Sequence, residues 1–189
     1  MNKVIAQSRL ICIDEAYFYR KDFSMSVRTG NGYDVHKLVP ERALILCGTP
    51  VPYEKGLLGH SDADVAAHAL MDALLGAAGL GDIGRHFPDS DENYRGADSM
   101  KLLAEVRDMI GGAALDGTVM INNVDITIIA QAPRLSPYIE QMKTNTADTL
   151  GIPESRVNIK ATTEEGLGFT GRGEGIAAFA TCAIEGRFE

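Results

Sequence analysis

Between Ala63 and Ala78 the chain can form a helix on which Asp64, His68 and Asp72, four residues apart, share one face among otherwise apolar or small residues. Val65, Leu70, Leu74 and Leu75 are among its apolar positions, Ser61 or Asp62 can cap its start, and Gly79 and Gly81 end it. An imidazole without a partner in such surroundings is costly. His68 therefore reads as a metal ligand whose second ring nitrogen is held by a carboxylate.

The rest of the chain interleaves strands with helices. Residues 26–33 form the first expected strand, and 43–46 with 51–52 a short hairpin turned by Gly48-Thr49-Pro50. Asp98 or Ser99 opens a second helix that runs to about Ile110 and stops at Gly111-Gly112. Residues 123–130 alternate and are rich in β-branched side chains, which predicts a strand. Ser136-Pro137 reads as the N-cap and first residue of a helix ending at Gly151, and 157–161 and 175–184 are the last strands. This order predicts an α+β fold: a two-layer mixed sheet with helices on one face.

At 189 residues the chain suits one domain. Residues 1–25 mix charged and aromatic residues without a period and read as an appendage, disordered or a non-native start, before a domain at 26–189. A net charge of -8 argues against nucleic acid and anionic membranes as partners. No apolar run approaches the roughly 20 residues of a membrane span, and the N-terminus lacks a signal-peptide pattern. Three isolated cysteines, Cys12, Cys47 and Cys182, fit a reducing, cytoplasmic setting.

Asp34 and His36 lie two apart on a strand, so both face one side. With His68 they make an Asp-His-His set suited to zinc, and three protein ligands leave a fourth position open. His60-Ser61-Asp62 precedes a helix start, where free N–H groups favour an anion. The Gly- and Asp-rich stretch from Gly81 to Asp91 reads as a loop without secondary structure, and His86 within it as a non-ligand. Gly166, Gly168 and Gly171 spell GxGxxG, but the stretch leads into a strand, so it is not a dinucleotide fingerprint. With Thr162, Thr163, Glu164, Glu165 and Arg172 around them, these glycines suit a diphosphate.

Six ordered motifs together resemble the 2-C-methyl-D-erythritol 2,4-cyclodiphosphate synthase family. They are Gly32-Tyr33-Asp34-Val35-His36, His60-Ser61-Asp62-Ala63-Asp64, Asp82-Ile83-Gly84, Phe87-Pro88-Asp89, Ala130-Gln131-Ala132-Pro133 and Gly168-Phe169-Thr170-Gly171-Arg172-Gly173-Glu174-Gly175. The resemblance implies a homotrimer whose sheets face the three-fold axis, with active sites between subunits. It implies cyclisation of 4-diphosphocytidyl-2-C-methyl-D-erythritol 2-phosphate with release of CMP, in non-mevalonate isoprenoid synthesis.

Carried over, Asp34, His36 and His68 hold zinc, Glu165 holds a second divalent ion (Mg2+ or Mn2+), and His60 and Thr163 assist the transition state. The methylerythritol side falls to Asp82, Ile83, Gly84, Phe87, Pro88, Asp89, Ser90 and Asp91, beside Ser61. The cytidine and phosphate wall falls to Ala130, Gln131, Ala132, Pro133, Arg134, Leu135 and Thr162 to Glu165, with Phe169 and Arg172. Two features differ: Glu164 stands where the family often has a third threonine, and residues 111–121 run longer than in compact members. Two rival readings are a zinc-dependent phosphohydrolase and a non-catalytic trimer that binds isoprenoid diphosphates.

Overall fold

In the computed structural model, which describes residues 25–88 and 90–188, a buried helix lies on a five-stranded sheet. The strands stand in the order β4 (Lys55–Leu57), β1 (Ser26–Pro40), β7 (Gly175–Gly186), β5 (Val119–Ile129) and β6 (Val157–Thr162). All neighbours are antiparallel except β5 and β6, and a parallel pair needs a crossover. That crossover carries α4 (Ile139–Leu150). α1 (Val65–Ala78) covers β1 and β7, and α3 (Ser99–Gly111) packs on α1 and α4. The helices share one face, so the expected mixed α+β layering holds. No described helix is long and apolar enough to cross a membrane.

Glycine sets how closely α1 approaches the sheet. A Cβ on Gly30 would stand 1.9 Å from the carbonyl oxygen of Ala73, and one on Gly32 2.0 Å from that of Ala69. Helix backbone thus rests directly on strand backbone. Two positions further along the same face of β1 come Asp34 and then His36, opposite the first turns of α1 where His68 sits. Strand position aims Asp34 and His36 to one side, and the close approach of α1 brings His68 to meet them.

Several boundaries differ from the expectations. β1 does not stop at Tyr33 but continues to Pro40, so Asp34 and His36 lie within it. The hairpin is β2 (Leu44–Leu46) and β3 (Thr49–Val51), turned by Cys47-Gly48, both left-handed with φ of 45° and 65°; Thr49 and Pro50 belong to the second strand. That is the backbone a two-residue hairpin turn demands. Neither Ser61 nor Asp62 caps α1. Asp64 does, accepting from Ala67 N–H (3.1 Å) and, through its other oxygen, from Gly48 N–H (2.7 Å). Burial drives its carboxyl pKa up, against the pull of these backbone donors.

Ser136-Pro137 does not start α4 either; the chain makes a turn there and the helix begins at Ile139 without a side-chain cap. The 81–91 stretch is not structureless: it holds a one-turn helix, α2 (Ile83–His86). Likewise the glycine-rich stretch forms one helical turn, α5 (Gly168–Gly171), before β7, and the loop before β5 spans 112–118. Gly79 and Gly151 end their helices in the left-handed conformation, as expected. The appendage at 1–25 lies outside the described residues except for Met25, as does Asp89.

Candidate active site

The three expected ligands meet. Asp34 Oδ2 is 3.0 Å from His36 Nε2 and 3.0 Å from His68 Nδ1, and the two nitrogens are 3.1 Å apart. A tetrahedral zinc ion with bonds of roughly 2.0 Å sets its ligands about 3.3 Å apart, so this triangle fits a divalent ion after a small expansion. It is the one grouping of three or more metal-ligating side chains among the described residues. His36 Nδ1 donates to the Leu58 carbonyl (2.7 Å), so in the neutral ring it is Nε2 that carries the lone pair and faces the cluster. Gly59 makes room for that ring, since a Cβ there would press on His36 Cε1 at 3.1 Å. Burial alone pushes the Asp34 carboxyl up, but hydrogen bonds and charge from His36 and His68 outweigh it and hold the group well below the usual carboxylate range.

The far side of His68 corrects an expectation. Its Nε2 meets no carboxylate; it meets the hydroxyls of Ser99 (2.9 Å) and Ser61 (3.2 Å), and Ser99 in turn donates to Asp62 (2.5 Å). The sequence pattern marks Ser99 only as a candidate helix start. Its contact spans 31 residues, and no spacing rule reports that. Arg42 was missed in the same way: it donates to the Ser61 carbonyl (2.9 Å) and steadies the His60-Ser61 corner.

Beside the triad a small cavity is lined by His60, Ser61, His68, Ile83, Phe87 and Tyr94 among others. Phe87 stacks edge-on against Tyr94, and His60 Nε2 donates to the Asp91 carbonyl (3.3 Å). Asp82 caps α2 and Asp91 caps the next turn, so both carboxylates have structural partners. Gly84 lies within α2, Pro88 is half-buried and Ser90 exposed. His86 donates to the Leu80 carbonyl (2.9 Å) and stands outside the triad, as expected.

The second expected group forms a cavity of its own, about 380 Å³, walled by Ala130, Gln131, Pro133, Arg134, Leu135, Thr162 and Thr163 with neighbours from α4. Ala132 precedes a cis peptide bond to Pro133. Thr163 donates to Glu165 (2.8 Å), which takes a left-handed φ of 52° at the corner. Glu164 accepts from the buried Thr170 hydroxyl, so its carboxylate braces the loop and does not line this cavity. Phe169 lines a different cavity, with Val35 to Leu38, and Arg172 pairs with Glu174.

The two groups do not meet within one chain. Val35, Ala177, Ile129 and Thr162 are register partners across β1, β7, β5 and β6. Three strand spacings, roughly 14 Å, separate the metal-ligand strand from the threonine strand.

Fold and site together define a class: α+β proteins with an Asp-His-His cluster, able to hold a metal ion, between a sheet strand and a buried helix. The sequence model of the YgbB family matches residues 27–185, and the chain belongs to that family. The 2-C-methyl-D-erythritol 2,4-cyclodiphosphate synthase of Agathobacter rectalis is 64% identical over 163 residues, 86% of this chain and 90% of the relative. The bifunctional IspDF of Campylobacter jejuni superposes with a TM-score of 0.81 at 44% identity, covering 86% of this chain and 43% of that one. IspF of Plasmodium falciparum, in a complex with CDP, gives 0.73 at 33% identity, over 86% and 97% of the two chains.

Proposed function

We propose that this chain converts 4-diphosphocytidyl-2-C-methyl-D-erythritol 2-phosphate to 2-C-methyl-D-erythritol 2,4-cyclodiphosphate and CMP. An oxygen of the 2-phosphate attacks the β-phosphorus, and the bond from that phosphorus to the oxygen bridging to the α-phosphorus breaks, so CMP leaves with the bridging oxygen. The attacking group is already an anion, so no protein nucleophile is needed. The protein's task is to hold two anionic groups in line and together. The observation that carries the reading is the Asp34-His36-His68 triangle beside the His60 and Ser61 corner in a chain of this family.

Zinc bound by that triad would supply Lewis-acid charge at a phosphate oxygen. Glu165, exposed beside Thr163, is the residue proposed to hold a second divalent ion, Mg2+ or Mn2+, on the diphosphate. His60 and Thr163 are assigned to steady the phosphates. Ala130 to Leu135, with Thr162, take the cytidine. Ile83 and Phe87 wall the methylerythritol, with Asp82, Gly84 and residues 88–91 around it.

A homotrimer completes the site. The roughly 14 Å between the two groups supports a site in which neighbouring chains bring both groups to the same phosphates. The sheet face turned from the helices exposes Val27, Tyr33, Val35 and Phe179, an apolar surface suited to subunit contact. Incubation with the cytidylyl substrate, followed by phosphorus NMR, tests the reaction. The cyclic diphosphate and CMP should appear together. Release of inorganic phosphate would point to a hydrolase, and unchanged substrate to a binding protein. Metal analysis should find about one zinc per chain in the parent and none in His68→Ala.

A further inference from the structure

Ser99 is fully buried at the first turn of α3, and its hydroxyl lies 2.9 Å from His68 Nε2. Its direction is settled by what lies behind it. Asp62 Oδ1 receives the Ser99 hydroxyl (2.5 Å) and Asp64 N–H (3.2 Å), while Oδ2 receives Ser99 N–H (3.1 Å). With three donors converging on its two oxygens, this carboxylate acts as an acceptor. The Ser99 proton therefore points at Asp62, and only lone pairs of Oγ face His68. For His68 the contact works one way: Nε2–H donates. Ser61 Oγ, which accepts from Ala63 N–H (3.1 Å), is a second and longer acceptor at 3.2 Å from the same nitrogen.

On the other side of the ring, Asp34 Oδ2 lies 3.0 Å from Nδ1 and competes as an acceptor for a proton there. A proton on Nδ1 blocks that nitrogen as a ligand. We infer that Ser99, oriented by Asp62, is a positioning residue that takes the Nε2–H hydrogen bond of His68 and so holds Nδ1 as the lone-pair nitrogen facing Asp34 and His36. This rests on reading the triad as a metal site. It adds a requirement not visible in the ligands themselves: a buried serine one helix away tunes their affinity.

The test uses the full chain and zinc alone, by competition with a chromophoric chelator. Loss of a group supporting a ligand typically costs 10- to 100-fold in affinity, so Ser99→Ala should weaken zinc binding about tenfold, with Ser61 as partial substitute. Ser61→Ala/Ser99→Ala should approach a hundredfold loss. In the zinc-loaded parent the Nε2–H proton of His68 should exchange slowly by proton NMR, and in Ser99→Ala it should be lost to exchange. Ser99→Thr restores the hydroxyl and should recover both readouts.

A purely structural serine would lower the melting temperature of Ser99→Ala while zinc affinity and the Nε2–H signal stay at parent values; that result overturns the inference. So does a parent Nε2–H that exchanges at the solvent rate, which needs no variant, or a Ser99→Thr as weak as Ser99→Ala. His68→Ala separates the two readings. If His68→Ala binds zinc as the parent does, the triad reading itself fails. If it loses zinc while Ser99→Ala does not, only the role of Ser99 fails.

Discussion

Replacing Gly32 by alanine should damage the fold and the metal site together. The new methyl would stand 2.0 Å from the Ala69 carbonyl oxygen and 2.8 Å from both Ala73 N and Asp72 Cβ. Ordinary contact begins near 3.4 Å, so α1 and β1 must part by up to about 1.4 Å at this point. The obstacles are mostly backbone, which cannot rotate aside, so the cost belongs at the upper end of overpacking, about 3 kcal/mol. For a chain of this size that lowers the melting temperature by roughly 6 to 12 °C. The parting falls one residue from His68, so the ligand triangle, now 3.0–3.1 Å on each side, opens. Zinc affinity should fall at least about tenfold.

Gly76→Ala is the matched control. It lies in the same helix, is exposed, and a Cβ there would find nothing closer than 3.9 Å. It should gain up to about 1 kcal/mol from helix propensity. Calorimetry and zinc competition on the parent and both variants decide the matter. A Gly32→Ala protein that melts and binds zinc like the parent would refute the claim that backbone contact positions the site. So would a Gly76→Ala that falls as far as Gly32→Ala.

Three further expectations follow from the same geometry. Burial pushes the Cys182 thiol up to about 11, so the native state keeps a proton that the unfolded chain releases near 9. The stability this contributes is complete below the unfolded value and is lost as pH rises through the folded one, roughly 2 to 3 kcal/mol between pH 9 and 11; urea melts of the parent and Cys182→Ala under reductant should differ in slope over that range, and parallel slopes would count against it. His68→Ala and Thr163→Ala, each nearly inactive, should regain partial activity when unfolded and refolded together, because a mixed ring pairs intact halves at some interfaces; mixed trimers that stay inactive would place both halves in one subunit. Removing residues 1–24, ahead of the family match at 27 and of β1 at Ser26, should leave melting temperature and activity unchanged, and a large drop in either would show that they pack on the domain.

The meeting of the Asp-His-His triad was legible in sequence because it rests on local periodicity. Asp34 and His36 share a strand face, and His68 stands out on an apolar helix. The extent of β1 was hidden because past Tyr33 its helix-facing positions carry Asp34 and His36, so no alternation of large apolar side chains marks the continuation to Pro40. The cap of α1 was hidden for another reason. Ser61, Asp62 and Asp64 all suit the role, and Asp64 wins through its second bond to Gly48, in the hairpin turn 16 residues earlier. The contact of Ser99 with His68 depends on tertiary placement, and the bond between Thr170 and Glu164 on how the loop folds back, so neighbouring residues along the chain carry no trace of either.

α1 has a consequence for how metal comes and goes. Nearly every residue on it is buried, His68 included at 8% exposure, and its C-terminal end is closed by the left-handed Gly79. A helix so covered cannot fray piecemeal; its amides open only when the whole domain does. One member of the triad is thereby fixed to a deeply buried helix, whereas Asp34 and His36 stand on a half-exposed stretch of strand. If the triad holds zinc, exchange in the folded protein proceeds from the strand side, where an entering ion meets Asp34 and His36 before the buried His68. Hydrogen–deuterium exchange should accordingly find the amides of Ala69 to Leu75 among the most protected in the chain, in metal-free and zinc-loaded protein alike.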